Sequence, residues 1–181
     1  MNLPELQNDE ALRQREFPVC ADKVYLAHAG VSPVPACVTR AVQETAAAAA
    51  LDDQEEGLGD LLRTTRARAA EMLGADIGEV ALIGPTTAGL SAVAAGLDWQ
   101  NGDEVLIYQD DFPVNVYPWL ALETRGVTVR RLQTPALGHI TPKLVLEQLT
   151  GKTRLVALAS CHFVSGWRID HDAIGRELRA R

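Results

Sequence analysis

The sequence predicts an α/β protein with a mostly parallel sheet and helices on the faces of that sheet. From about residue 79 onward, helical and strand-like segments alternate, which is the pattern of parallel strands joined by crossover helices. Residues 104–108 contain a continuous apolar run, which is typical of a strand buried on both faces. A break at Gly84-Pro85, followed by a helical pattern, indicates a strand that turns tightly into a helix.

Composition limits the class of protein. The chain has 181 residues, of which 47% are hydrophobic and 23% charged, and this is enough for one sizeable core. The net charge is -7 and the arginines are spread along the chain, which disfavours nucleic acid as a partner. The three cysteines, Cys20, Cys37 and Cys161, lack metal-site spacing and are expected to be reduced. With no secretion signal and no apolar run of membrane-spanning length, we expect a cytoplasmic protein without a metal.

The first part of the chain is predicted to be helical around one loop. Residues 24–26 indicate a short strand, and a loop rich in Gly and Pro follows over residues 27–35. Pro35 begins a helix that continues through an alanine run to residue 50. A second helix is predicted over residues 58–73, ended by Gly74, and we expect its arginines to be solvated.

The second part of the chain alternates between the two element types. The predicted order is a strand at 79–83, a helix to Gly96, a strand at 104–108, a helix at 118–125, a strand at 127–132, a helix at 143–149, a strand at 153–160 and a helix from Asp170 to residue 181.

The turn Gly84-Pro85-Thr86-Thr87 is a candidate anion site. The first N–H groups of a helix have no partner within it, and the helix dipole adds partial positive charge there. Thr86 and Thr87 add two hydroxyl donors. A threonine at this place also serves as an ordinary N-cap, and the turn matches neither a P-loop nor Gly-x-Gly-x-x-Gly. A ligand that carries a phosphate is the first hypothesis.

Three loops hold further candidates. Residues 109–119 follow a strand at the edge where open α/β sheets bind ligands, and Phe112 there could stack on a flat heterocycle or plug the core. Residues 161–168 follow the last strand at the same edge. His28, in the loop at 27–35, could act as an acid or base or could only hold that loop by hydrogen bonds.

Four segments in this order resemble the class V aminotransferase family of fold-type I pyridoxal-phosphate enzymes. The family includes cysteine desulfurases, selenocysteine lyases, kynureninase-like enzymes and the isopenicillin N epimerase-like group. The resemblance covers nearly the whole chain. The segments are Tyr25-Leu26-Ala27-His28-Ala29-Gly30, Gly84-Pro85-Thr86-Thr87-Ala88-Gly89, Asn115-Val116-Tyr117-Pro118-Trp119, and Lys152-Thr153-Arg154-Leu155-Val156 followed by Ser165-Gly166 and Asp170.

The resemblance implies roles for particular residues. Thr86 and Thr87 match the turn that binds the phosphate of pyridoxal 5'-phosphate through backbone amides and a hydroxyl. Phe112 matches the residue that stacks on the pyridine ring, where desulfurases usually have histidine, so the pattern is closer to the kynureninase-like enzymes. Ala29 and Gly30 match a loop near the amino acid substrate.

The resemblance also implies an incomplete site. Phe163 stands where desulfurases often have an asparagine near the cofactor ring. The aspartate that pairs with the pyridine nitrogen and the Schiff-base lysine lie downstream of the matched segments, and Lys23, Lys143 and Lys152 match no such position. We therefore expect no catalytic residue and no complete reaction in this chain alone.

The expected organisation follows from this resemblance. Residues 1–50 form an N-terminal segment with the loop near the active site and a helix, and residues 51–181 form part of the large cofactor-binding domain of a fold-type I enzyme. The function implied is the N-terminal portion of an enzyme that performs transamination, lyase or epimerase chemistry on an amino acid, from a truncated reading frame or a split protein. The alternative is a non-catalytic interaction or split-enzyme subunit. Expected partners are a second copy, as a homodimer, or a complementing C-terminal chain.

Overall fold

The computed structural model describes residues 3–28 and 30–180. The chain forms two compact units, Met1–Leu82 and Ile83–Arg181. The first unit is helical, and the second contains the sheet. Within the described residues, no helix has both the length and the apolar character that crossing a membrane requires.

The regular structure described in the first unit consists of five α-helices and one short 3-10 turn. The helices are α1 (Leu3–Asn8), α2 (Glu10–Glu16), α3 (Val19–Asp22), α4 (Ala36–Ala49) and α5 (Glu55–Leu73). The two long predicted helices are thus confirmed, and α5 ends as expected at Gly74, whose φ of 65° is left-handed. The strand predicted at residues 24–26 is wrong, because these residues pair with no strand in the part of the chain that is described, and Val24 and Leu26 are exposed.

The strand predicted at residues 79–83 is also wrong. Glu79 ends a short 3-10 turn, Ile77–Glu79, and the extended residues after it pair with no strand in the described ranges. Arg66 instead donates to the carbonyls of Val80 at 2.8 Å and Ile77 at 2.9 Å. An arginine that was expected to be solvated therefore holds the segment that leads to Gly84.

The second unit alternates helices and parallel strands as predicted. Its elements are α6 (Thr86–Gly96), β1 (Glu104–Ile107), α7 (Tyr117–Leu120), β2 (Thr128–Arg131), α8 (Pro142–Glu147), β3 (Thr153–Ala157) and α9 (His171–Arg179), with 3-10 turns at Pro113–Asn115 and Ala121–Arg125. The strand order is β2-β1-β3, and both pairings are parallel. Val105 on β1 lies opposite Val129 on β2 and Leu155 on β3.

The central strand β1 divides the core of the second unit into two layers. Val105 and Ile107 pack on one face with Trp119 and other apolar side chains. Leu106 and the following Tyr108 pack on the opposite face with Val145 and its neighbours. Because successive side chains of a strand point to opposite faces, the continuous apolar run at this place is what burial on both faces requires.

At the amino edge of the sheet, Asp103 joins β1 to β3. Its Oδ2 accepts hydrogen bonds from the backbone N–H of Gln100 and from Arg154 Nη1, each at 2.8 Å. Arg154 also donates to the carbonyl of Asp98 and lies over the ring of Trp99, 5.5 Å from its centroid. The backbone donor of Gln100, followed by Arg154, lowers the pKa of Asp103 below its ordinary value of 3.8.

At the carboxyl edge, Asp111 ties the loop after β1 to the chain that leaves β3. Its carboxylate is buried, with 7% of the residue exposed. One oxygen accepts the N–H of Phe112 at 2.7 Å, and the other accepts the N–H of Ala159 at 3.1 Å and the side-chain amide of Asn115 at 2.9 Å. All three partners are donors, so both oxygens of Asp111 must be acceptors.

Asp103→Asn should change how the free energy of unfolding depends on pH in the acid range. A lowered pKa in the folded state means that the carboxylate stabilises the fold above its unfolded pKa and loses this effect as pH falls through the folded pKa. We therefore expect the wild-type free energy of unfolding to fall more steeply below pH 3.8 than that of the variant, and to be larger at pH 7. Urea unfolding at a series of pH values measures both. Asp98→Asn is the control, because the exposed Asp98 side chain has no partner in the described structure; parallel profiles for wild type and Asp103→Asn would contradict the assignment.

Asp111→Asn should destabilise the protein at neutral pH. In either orientation the new NH₂ group faces an N–H donor, so at least one half-buried donor loses its acceptor, which costs about 1 kcal/mol. Thermal or urea unfolding measures the change. Asp110→Asn is the matched control, since the exposed side chain of Asp110 has no partner among the residues described. If the two variants are equally stable, the hydrogen bonds of Asp111 do not stabilise the fold.

Candidate functional site

The candidate site lies at the carboxyl edge of the sheet in the second unit. The loops that follow β1 and β3 are neighbours there because the two strands are parallel and paired. Phe112 in the first loop and Phe163 in the second pack edge to face, with ring centroids 5.3 Å apart and planes at 87°. They are 49% and 40% exposed, so the pair lies at the surface.

The exposure of Phe112 decides between its two interpretations. The core is filled from this loop by Val116 and Trp119, which are both buried, whereas about half of Phe112 is open to solvent. Trp119 also donates to Asn115 Oδ1 at 3.4 Å, within the same loop. Phe112 is therefore accessible to a flat ligand and does not plug the core.

His162 supports the second loop and was not identified as a candidate from the sequence. It is 3% exposed. Its Nε2 lies 3.0 Å from the carbonyl of Asp110, and its Nδ1 lies 3.0 Å from the backbone N–H of Ser165. A carbonyl only accepts and a backbone N–H only donates, so in these contacts Nε2 is the donor and Nδ1 is the acceptor. A lone histidine after a strand gives no sequence signal for such a role.

The loop after β2 packs closely on the same histidine. Gly138 has a φ of 71°, and a Cβ there would lie 2.5 Å from His162 Cγ. Its N–H donates to the hydroxyl of the buried Tyr108 at 2.8 Å. Trp167 donates from Nε1 to the carbonyl of Ile140 at 2.8 Å. Three loops thus meet at this edge, and only glycine fits at the closest approach.

The start of α6 presents unpaired donors. The N-cap residue is Pro85, and its carbonyl accepts hydrogen bonds from the N–H groups of Ala88 and Gly89. Neither the N–H groups nor the hydroxyls of Thr86 and Thr87 have a partner among the described residues, and both threonines are exposed. The interpretation of these threonines as simple N-caps is therefore wrong, and their donors are available to an anion.

The structure brings the start of the Phe112 loop and α6 into one unit. The 3-10 turn Pro113–Asn115, directly after Phe112, contacts α6. Both candidate groups, the unpaired donors of Thr86 and Thr87 and the exposed ring of Phe112, are thus carried by elements that pack on each other.

The predicted substrate residues belong to the first unit. Ala29 lies outside the described residues. Gly30 is exposed and donates its N–H to the carbonyl of Ala27 at 3.3 Å, as part of a turn. His28 bonds within the same loop, with Nε2 at 3.1 Å from the carbonyl of Tyr25 and Nδ1 at 3.3 Å from Ser32 Oγ. These contacts fit the interpretation of His28 as a residue that holds its loop.

The sequence of this chain is similar to parts of longer proteins. A probable cysteine desulfurase of Methanothermobacter thermautotrophicus is 29% identical over 169 residues, which cover 90% of this chain and 42% of that protein. An aminotransferase-like protein of Gibberella zeae is 35% identical over 102 residues, 54% of this chain and 25% of that protein. The chain therefore spans less than half the length of the relatives that it matches.

Solved structures show the same fold. The complex of the cystine C–S lyase C-DES with cysteine persulfide has a TM-score of 0.83 at 24% identity, over 91% of this chain and 45% of that one. The cysteine desulfurase CsdA of Escherichia coli has a TM-score of 0.80 at 24% identity, over 95% of this chain and 46% of that one. The predicted α/β fold is thus confirmed, and it matches less than half of each of these longer chains. Since the family model for Aminotransferase class-V matches residues 24–181, the chain belongs to the class V aminotransferase family.

Proposed function

We propose that this chain provides the phosphate-binding and ring-binding part of a pyridoxal 5'-phosphate enzyme that acts on an amino acid. The observation that carries the proposal is the set of unpaired donors at Thr86 and Thr87, on a helix that packs beside the loop of the half-exposed Phe112. A phosphate needs several donors, and a pyridine ring needs a flat apolar surface. The residues present fit both needs.

The bound cofactor would act as the electron sink when a bond at the substrate Cα breaks. Thr86 and Thr87 would bind its phosphate and so fix its position. Phe112 would stack on the ring but cannot hold or move a proton, because its side chain has no titratable group. This favours transamination, lyase or epimerase chemistry over a desulfurase reaction in which that position supplies a histidine. Ala29 and Gly30 remain the proposed residues on the substrate side.

We infer that none of the three lysines of this sequence holds the cofactor covalently. Lys152 directly precedes β3, at the sheet edge opposite Phe163, and a five-residue strand separates the two edges by about 16 Å. Lys143 is exposed on α8, 3.8 Å from Glu147, and Lys23 follows α3 in the first unit. The isolated chain would therefore bind the cofactor without completing a reaction.

A partner chain is part of the proposal. Apolar side chains on α4 and α5, among them Val42, Leu61 and Met72, are largely exposed in the first unit. Such surface favours association with a second copy or with a complementing C-terminal chain. It also supports the alternative of an interaction subunit, which would self-associate without binding the cofactor. A cytoplasmic location and the functional division at residue 50 stay predictions.

Pyridoxamine 5'-phosphate is the probe that tests the site. It keeps the ring and the phosphate but has no aldehyde, so it cannot react with surface lysines. We expect the wild-type chain to bind it, and we expect the double variant Thr86→Val/Thr87→Val to bind it at least about tenfold more weakly, since hydrogen bonds to a charged group contribute about 1.5–3 kcal/mol. Calorimetric titration measures the Kd.

The matched control is Thr64→Val. Thr64 is an exposed threonine of α5 without a partner among the residues that the structure describes, so its replacement should leave the Kd unchanged. If the wild-type chain does not bind pyridoxamine 5'-phosphate, the proposed function is wrong. If it binds and the double variant binds equally well, the phosphate site lies elsewhere.

A further inference from the structure

We propose that Phe163 is a positioning residue that fixes the orientation of the Phe112 ring, and that it does so as one step of an aromatic ladder. The aromatic ladder consists of Tyr108, His162, Phe163 and Phe112, whose rings contact one another in this order. The inference rests on the proposed function, because it concerns the ring that would stack on the cofactor.

The inner half of the aromatic ladder is rigid. Tyr108 and His162 are both buried, with ring centroids 5.7 Å apart and planes at 67°. The Tyr108 hydroxyl accepts the N–H of Gly138, and both ring nitrogens of His162 are engaged by backbone groups. The His162 ring cannot turn without breaking its hydrogen bonds to Asp110 and Ser165, so it offers a fixed surface to its neighbour.

Ring contacts connect the outer half to the inner half. The Phe163 centroid lies 5.2 Å from that of His162 and 5.3 Å from that of Phe112. Asp111 holds the backbone of Phe112 through its N–H, but this bond leaves the side-chain torsions free. Half of the Phe112 ring is exposed, so the edge-to-face contact with Phe163 restricts the ring on its protein side. Without it, Phe112 would have to be ordered by the ligand, and affinity would fall.

The Phe163 side chain has no hydrogen-bonding group, so it can affect ligand binding only by packing against its neighbours. If Phe163 acts by orienting Phe112, the effects of the two side chains on the affinity for pyridoxamine 5'-phosphate must be coupled. A double-mutant cycle measures this coupling directly. The variants are Phe112→Leu, Phe163→Leu and the double variant, and Phe163→Tyr keeps the ring and should retain affinity.

The experiment uses the whole chain with two probes, pyridoxamine 5'-phosphate and inorganic phosphate. We expect Phe163→Leu to weaken binding of the first by about three- to tenfold. Binding of inorganic phosphate should not change, because that anion needs only Thr86 and Thr87. In the Phe112→Leu background, Phe163→Leu should cause no further loss.

The failures are distinguishable. If the wild-type chain does not bind pyridoxamine 5'-phosphate, whether or not it binds inorganic phosphate, the proposed function fails, and this inference fails with it. If the wild type binds pyridoxamine 5'-phosphate and Phe163→Leu binds it equally well, only the role of Phe163 is refuted. The inference would also be overturned if the two substitutions caused additive losses of affinity, or if Phe163→Leu weakened the binding of inorganic phosphate equally. Either result would show that Phe163 does not act by orienting Phe112.

Discussion

The burial of β1 on both faces is the constraint on which the second unit depends. This strand is paired in parallel on both edges and carries apolar side chains into two layers. Because the strands are parallel, the segments that follow β1 and β3 lie at the same edge of the sheet. There Asp111, after β1, accepts a hydrogen bond from Ala159, after β3. Parallel pairing therefore places the loops that carry Phe112 and Phe163 side by side at this edge.

Much of this fold was predictable from local pattern. The apolar run at residues 104–108 and the helix end at Gly74 depend on rules that act within a few residues, and both are confirmed. The strands expected at residues 24–26 and 79–83 did not form, since a strand needs a partner and an apolar run does not specify one. Arg66 was misjudged for a similar reason: the carbonyls that it binds lie 11 and 14 residues away.

For the candidate site, the sequence named residues but not their geometry, and the roles of those residues stay predictions. Thr86 was identified from turn chemistry and Phe112 from its place after a strand. The structural alternative of each, an N-cap or a core plug, disagrees with the hydrogen bonding or exposure that is observed. His162 gave no local signal and Phe163 was noted only through the family resemblance, because their ring contacts join separate loops. The buried His162 packs on Phe163, and Phe163 packs on Phe112, so aromatic rings cover this edge of the sheet.

The central claim is that the start of α6 and the Phe112 loop bind the two ends of one cofactor. Amide NMR of the isotope-labelled chain, titrated with pyridoxamine 5'-phosphate and separately with pyridoxamine, tests this claim most directly. We expect the phosphorylated probe to shift the amides of Thr86 and Thr87 together with those beside Phe112, and the probe without phosphate to leave the threonine amides unchanged. Shifts confined to the opposite sheet edge, around Lys152, or identical responses to both probes would contradict the account.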